Sequence, residues 1–551
     1  MQPNVFSRDG VDAMLNPSNT NPDPPTAEQT LDKWIETMTG TGVPSDFDVV
    51  IMNPPFTRRE RIPDEIAKLQ KNVPQVKGKA GYWAYFVVPA DNVLKQGGVL
   101  ALVIPEEFFA GSSVESVRRT LFDKGYTIQH IIRSAVEVAF SESALYRDYL
   151  LVLRKGKAKH PLVITILKKK LQEIQDRIPE LAKSIRDFSV SKESNLNIEE
   201  LEAQKIFNAT ELISKHIGNL KPLVAFNTTK AQKLALQLLD NLKDKPTLEE
   251  LEKRNFVRTR AYNPGQYKTR GAEGYARKLY ASRYGSKSPN AVFLIEKVSE
   301  KMLYLKIKKT KIHFKLPLEK FVPSLRTYSE VPHIDITGEE EFALVDSKAL
   351  PLEVIKLAGL IPQEKLDMAI VDIRCAHEDI ASNVLLTRRT QLTSPGLYWL
   401  VFYSDNDTLS NAVLLNMRVK DAITAKILAL YLNSTVAFIQ LIAFVAETRG
   451  SWVDLHSRQE WGQVHVPDVE NLDQQLVKRA LQTLAQVSKI KTKTLYERIA
   501  THDKIQRLID EIALDLLDLG EWKAKLDDLY DAVGNELMTM HKILETSGKK
   551  R

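Results

Sequence analysis

The residues Asp46-Phe47-Asp48-Val49-Val50-Ile51-Met52-Asn53-Pro54-Pro55-Phe56 constrain this chain more than any other stretch. The first half is short, β-branched and apolar, and reads as a strand of a parallel sheet buried on both faces. Asn-Pro-Pro-Phe follows at its carboxyl end, the edge where open α/β sheets bind ligands. Two successive prolines end the strand, because each ring fixes its own φ, removes an N–H and restricts the residue before it. The stiff loop that results holds two acceptors, the Asn53 carboxamide oxygen and the Pro54 carbonyl, beside the flat face of Phe56. Such a set grips a planar aromatic amine: the acceptors take its two N–H protons and the ring stacks on the base. Without that chemistry, Asn-Pro-Pro reads as a turn after a strand.

Asn53-Pro54-Pro55-Phe56 behind a hydrophobic strand resembles the catalytic motif of the amino methyltransferases that use S-adenosylmethionine. The likeness is greatest to the adenine-specific DNA methyltransferases of restriction-modification systems, of the type I and type IIG kinds. The resemblance implies that double-stranded DNA is the partner and that an adenine flips out of the duplex. Asn53 and Pro54 would then hold its amino group, Pro55 stiffen the loop and Phe56 stack on the base, with S-adenosylmethionine as cofactor and no metal. Restriction or specificity subunits are further partners of that family.

Members of the family place a glycine-rich cofactor motif, then an acidic residue for the ribose, ahead of their Asn-Pro-Pro-Phe. Residues 1–45 are rich in Pro, Asn, Asp and Thr, with one expected helix around Leu31 to Met38, and are too short and polar for a βαβ unit. Gly40-Thr41-Gly42 reads as a loop. Cofactor-binding residues are therefore not identified. The expectation is weak binding of S-adenosylmethionine by this chain alone, an uncovered apolar sheet edge, and a polypeptide carrying the missing cofactor-binding half as partner.

The chain has 551 residues, enough for about three domains. Hydrophobic residues make up 43% and charged residues 27%, the balance of an ordinary globular protein, and no apolar run approaches a membrane span. Cys375 is the single cysteine and the start lacks the pattern of a signal peptide, so a cytoplasmic location is expected. A formal charge of +7 favours a polyanionic partner.

Taken in order, Thr57-Arg58-Arg59-Glu60-Arg61 reads either as a phosphate-contacting loop or as a solvated basic one. A helix is expected over Tyr82 to Leu94, ended by Gly97-Gly98. A doubly buried strand follows at Val99 to Pro105, then a helix at Val114 to Lys124 and strands at Ile128–Ile132 and Tyr149–Leu153, which flank Phe140-Ser141-Glu142-Ser143. Residues 46–158 thus read as the carboxyl-terminal half of a Rossmann-like methyltransferase sheet, in an α/β fold. Leu167, Leu171, Ile174, Ile178, Leu181 and Ile185 predict an amphipathic helix kinked or split at Pro179, within a helical connector over 159–253.

Residues 254–330 form a basic, aromatic region. There Arg258, Arg260, Arg270 and Arg277 alternate with Tyr262, Tyr267, Tyr275, Tyr280 and Tyr284, suiting phosphate contact and stacking, or else a solvated loop. Leu432-Asn433-Ser434 and Val466-Pro467-Asp468 make 331–470 resemble the target-recognition domains of restriction-modification enzymes, with an unrelated α/β accessory domain as the other reading, and sequence choice is assigned to residues 320–470. Residues 471–551 read as a helical spacer or interface. Two other readings stay open: a DNA-binding remnant or subunit without activity of its own, and a methyltransferase acting on a protein glutamine or a ribosomal RNA guanine.

Overall fold

The valine-rich run is a strand, β1 (Phe47–Met52), in the computed structural model, which describes residues 46–57, 63–78, 80–110, 112–141, 147–267, 271–285, 287–445, 447–449 and 452–548. Chain contacts divide into two units, 1–233 with 444–450 and 539–551, and 234–443 with 451–538.

In the first unit β1 runs parallel to β2 (Leu94–Pro105), with Val50 opposite Leu100 and Met52 opposite Leu102. Helix α1 (Pro63–Asn72) lies in their connection, and α2 (Glu115–Asp123) links β2 to β3 (Tyr126–Ser134). The remaining strands are β4 (Asp148–Lys155), β5 (Leu162–Leu167), β6 (Asn195–Asn197) and β7 (Leu201–Ile206), in the spatial order β1-β2-β4-β3-β5-β7-β6. β4 is antiparallel to both β2 and β3, giving the closing hairpin expected from the sequence. Val50, Leu100, Leu102 and Ile104 meet Val117 and Leu121 of α2 in one core. A fully buried aliphatic side chain of this kind contributes about 1.5–3 kcal/mol.

Several expectations need correction. β1 is buried on one face only, for Val49 and Ile51 are 50% and 57% exposed while Val50 and Met52 are buried. β1 also ends the order of its sheet. Gly97-Gly98 does not stop a helix but lies inside β2, where Gly97 takes φ +79° and the pairing with β1 shifts register between Phe47 and Val49. A bulge of this type needs a residue without Cβ. The helix expected over Tyr82–Leu94 breaks at Pro89 into Ala84–Val87 and a 3₁₀ turn, Pro89–Asn92. Residues 159–253, expected as a helical connector, add β5, β6 and β7 to the sheet. Leu167 closes β5 instead of opening a helix; from Leu171 the stripe is helical and split as expected next to Pro179, into Leu171–Ile174, a 3₁₀ turn Gln175–Arg177 and α3 (Ile178–Val190), where the missing N–H of the proline has no helical partner to lose. The expected helix at Leu31–Met38 and the loop Gly40-Thr41-Gly42 lie outside the described residues.

The second unit holds a ten-stranded mixed sheet. Its strands are β8 (Val257–Ala261), β9 (Tyr280–Ser282), β10 (Phe293–Val298), β11 (Met302–Ile307), β12 (His313–Pro317), β13 (Phe321–Leu325), β14 (Glu341–Leu344) and β15 (Ser382–Thr387). After a short β16 (Arg389–Gln391) come β17 (Val401–Ser410) and β18 (Leu414–Val419). The order is β12-β11-β10-β9-β14-β13-β17-β15-β18-β8. Helix α4 (Gln363–Ile380) sets Leu366, Ala369, Ile370 and Ile373 into a core with Phe293, Leu303 and Leu305. Beyond the sheet, α5 (Ala422–Tyr431) and α6 (Thr435–Phe444) meet at 70°. The carboxyl-terminal region is helical as expected, with Gln474–Val487, Leu495–Ala500, α7 (Lys504–Leu516) and Leu526–Gly548. Among the described residues no single helix is long and apolar enough to cross a membrane.

Candidate active site

The parallel pairing of β1 and β2 sets the ends of both strands on one edge of the sheet. Asn53 leaves β1 there, and Pro105-Glu106-Glu107 leave β2. Antiparallel β4 begins at the same edge, with Asp148 opposite Pro105, and β3 ends there with Arg133 opposite Tyr149. Along the loop, Asn53 is exposed, Pro54 buried and Pro55 exposed, while Phe56 is half-buried against the core. Pro54 and Phe56 thus anchor a turn that pushes Asn53 outward. Among the described residues the Asn53 carboxamide has no hydrogen-bond partner, so both its oxygen and its nitrogen are available to a ligand.

The loop is held from behind. The Tyr82 N–H donates to the Thr57 carbonyl at 3.1 Å, and the adjoining Trp83 indole N–H donates to Glu107 Oε2 at 3.0 Å. Tyr82 stacks edge-on against Phe86 at 5.2 Å, and Trp83 edge-on against Phe108 at 6.1 Å. One hydrogen-bonded and aromatic wall therefore ties the residue after the motif to the end of β2. These contacts were not foreseen from the sequence. An aromatic cluster, Tyr82-Trp83-Ala84-Tyr85-Phe86, was the available signal.

Beneath the edge lies a set of buried charges. Glu106 pairs with Lys221, at side-chain exposures of 3% and 1%. Arg118, fully buried, donates to the carbonyls of Phe108 at 2.9 Å and Ile217 at 2.6 Å, and burial pushes its guanidinium down to about 10. Arg133 donates to the carbonyls of Val224 and Phe226, the latter at 3.0 Å. Asp148 accepts from the N–H groups of Ala139 at 3.1 Å and Phe140 at 2.9 Å, and burial raises its carboxyl. Long side chains from different strands and helices thus satisfy the backbone of the loops that frame the edge. No spacing in the sequence announced these pairs, since Glu106 and Lys221 are far apart in the chain.

Of the arginines proposed for DNA contact, Arg258, Arg260 and Arg277 belong to the other unit. Arg258 and Arg260 are exposed on one face of β8, and Arg258 lies 3.5 Å from Asp379. Arg277 is exposed on the helix Glu273–Lys278. Arg58, Arg59 and Arg270 lie outside the described residues, as do Glu142 and Ser143. The five tyrosines expected to stack on bases have their hydroxyls hydrogen-bonded. Tyr262 donates to Asp372 at 2.6 Å, Tyr267 to Asp379 at 2.7 Å, Tyr280 to the Ser410 carbonyl at 2.9 Å, Tyr284 to Glu339 at 3.3 Å and Tyr275 to the Ile361 carbonyl. Tyr262 and Tyr280 are wholly buried. A buried phenol finds a partner for its hydroxyl, and these two rings serve the fold, while Tyr267, Tyr275 and Tyr284 are half-buried.

Residues 10–140 match the model of the family described as Eco57I restriction-modification methylase. No curated protein matches the chain. Among solved structures, the type IIG restriction endonuclease BpuSI is 14% identical, with a TM-score of 0.33, over 88% of this chain and 54% of its own. The type IIL restriction-modification enzyme MmeI in complex with DNA is 12% identical, with a TM-score of 0.45, over 91% of this chain and 57% of its own. A putative class I S-adenosylmethionine-dependent methyltransferase from Listeria monocytogenes is 23% identical, with a TM-score of 0.21, over 27% of this chain and 45% of its own. The chain spans about half the length of the solved structures it matches.

Proposed function

We propose that this chain, in which residues 10–140 match the Eco57I restriction-modification methylase family, is the amine-accepting and DNA-recognising part of an adenine-specific DNA methyltransferase of a restriction-modification system. The observation that carries the reading is Asn53, exposed at the carboxyl edge of a parallel strand pair on a loop anchored by Pro54 and Phe56. In this role the Asn53 oxygen and the Pro54 carbonyl accept the two amine protons of a flipped adenine, and Phe56 offers its ring to the base. The wall of Tyr82, Trp83 and Glu107 keeps the loop from yielding when the amine binds. S-adenosylmethionine, when bound, supplies a sulfonium methyl that a neutral amine attacks without a strong base. The described residues fit the acceptor side of such a site. They offer the cofactor no glycine-rich turn at a strand end, and none is assigned to holding it.

The test is transfer of labelled methyl to duplex DNA in an active preparation, followed by digestion to nucleosides. Label on adenine is expected. Asn53→Ala should lower the rate by about two to three orders of magnitude, the usual cost of one preorganised acceptor or donor, while DNA affinity is kept. Near-normal turnover by Asn53→Ala, or label on another base, RNA or protein, overturns the reading.

A further inference from the structure

Eight lysines and three glutamates lie between Phe293 and Lys320, and the strand register sorts them by face. On β11 Leu303, Leu305 and Ile307 turn into the core, so Tyr304 and Lys306 point the other way. β10 and β12 pair antiparallel to β11 on either side. Lys297 and Lys315 are the partners of Tyr304, and Leu294 and His313 are the partners of Lys306. One row across three strands therefore reads Lys297, Tyr304, Lys315, with Lys306 in the next row. Lys309 and Lys311, both exposed, follow in the turn beyond.

These charges are uncompensated. Among the described residues Lys297, Lys306 and Lys315 have no ion pair, and Glu296 bonds His313 at 2.8 Å. Lys297 instead lies over the Tyr304 ring, 5.8 Å from its centroid. No carboxylate forms an ion pair with these three lysines among the described residues, and the register leaves their charges on one face with Tyr304 between Lys297 and Lys315. Lysine on an exposed edge strand wards off stray pairing, and that accounts for Lys315 on β12. It does not account for Lys306, because β11 is paired on both sides, whereas β10 meets β9 only at Phe293 and Leu294.

We infer that the outer face of the β10–β12 meander is a surface for the phosphate backbone of double-stranded DNA. Lys297, Lys306 and Lys315 supply the charge and Tyr304 a flat, partly exposed ring among them. Lys297 and Lys315 stand two strand widths apart, about 10 Å, within reach of separate phosphates through their flexible stems. Point charges without planar forks make this a positioning surface, which fixes the protein on the duplex without reading its sequence. The inference rests on DNA being the substrate, as proposed above.

The experiment is fluorescence anisotropy of the full chain with two labelled duplexes of unrelated sequence, over 50 to 200 mM salt. The triple substitution Lys297→Gln, Lys306→Gln and Lys315→Gln should weaken binding to both duplexes alike. The slope of log affinity against log salt should flatten by about one for each lysine, so that the deficit shrinks on the order of 40-fold across that range. The triple Lys→Arg variant should keep the parent's slope, and both variants should melt with the parent. An unchanged slope in the glutamine variant overturns the inference while leaving the proposed function standing. DNA binding through this face by a chain that methylates no DNA sinks the proposed activity and keeps the surface. No binding by the parent chain overturns both.

Discussion

The pair Glu106–Lys221 gives the sharpest test of what holds the sheet edge that carries Asn53. Both side chains are almost completely buried, at 3% and 1% exposure, directly after β2 and on the 3₁₀ turn Lys221–Leu223. Lys221→Met keeps the apolar stem and removes the ammonium, stranding a carboxylate where water does not reach. Breaking a buried pair from one side costs roughly 3–5 kcal/mol, because the remaining charge keeps its desolvation cost and loses its attraction. Replacing both, Glu106→Leu with Lys221→Met, removes both desolvation costs and should return the protein to within about 1 kcal/mol of the parent or beyond it. The two units need not unfold together, so a bulk signal would mix them. Trp83, which touches the neighbouring Glu107, supplies a local reporter. With fluorinated tryptophan incorporated, the Trp83 resonance followed through a guanidinium titration gives the stability of this unit alone. If Lys221→Met shifts that curve by less than about 1 kcal/mol, or the double variant is no better than the single, the pair is not a closed buried charge site and the reasoning fails.

Two other perturbations are as direct. His130 is pushed down to about 4 from 6.5, first by burial and then by the charge of His160, whose ring centre is 4.9 Å away. The unfolded chain therefore takes up the proton more readily, so the stability due to the neutral ring is present above pH 6.5 and is lost as pH falls through about 4. His130→Phe should flatten that acid limb of the Trp83 melting profile by up to about 3 kcal/mol, and an unchanged limb would assign it elsewhere. Asn433, buried between α5 and α6, accepts from the N–H groups of Leu400 and Val401 at 3.0 and 3.2 Å and donates to the carbonyls of Val401 and Ala429 at 2.8 and 2.9 Å. Asn433→Ala strands two backbone donors and should cost on the order of 3 kcal/mol in the second unit; a cost below about 1 kcal/mol in urea melts refutes that bridge.

The parts of the fold that were legible in the sequence are those where one short segment carries its own pattern. Val49 to Met52, Val99 to Ile104 and the helix starting at Glu115 stand where periodicity placed them, and so does the Asn-Pro-Pro-Phe loop. Misreadings arose where two periods overlap. Leu167 and Leu171 fit one helical stripe by spacing, yet Leu167 is the last residue of a buried strand and the helix starts only at Leu171. The tyrosines of 254–290 looked solvent-facing among arginines because the carboxylates that hold them, Asp372, Asp379 and Glu339, come much later in the chain. The lysine face failed for the opposite reason. Tyr304 and Lys306 alternate visibly with Leu303, Leu305 and Ile307, but only register across three strands gathers Lys297 and Lys315 beside them.

The bent pair α5 and α6 has a consequence for how the chain is made. Between Ala422 and Phe444 the sequence is apolar enough for the two helices together to match a membrane span in composition, and nearly every side chain is buried. Its turn is closed by Asp510 on α7, which accepts from the Thr435 N–H at 2.6 Å and its hydroxyl at 2.7 Å, 75 residues further on. At a synthesis rate of about 5–20 residues per second, that partner leaves the ribosome several seconds after the greasy hairpin does. For those seconds the apolar pair lacks the carboxylate that closes its turn, so its burial is completed only after α7 has been made.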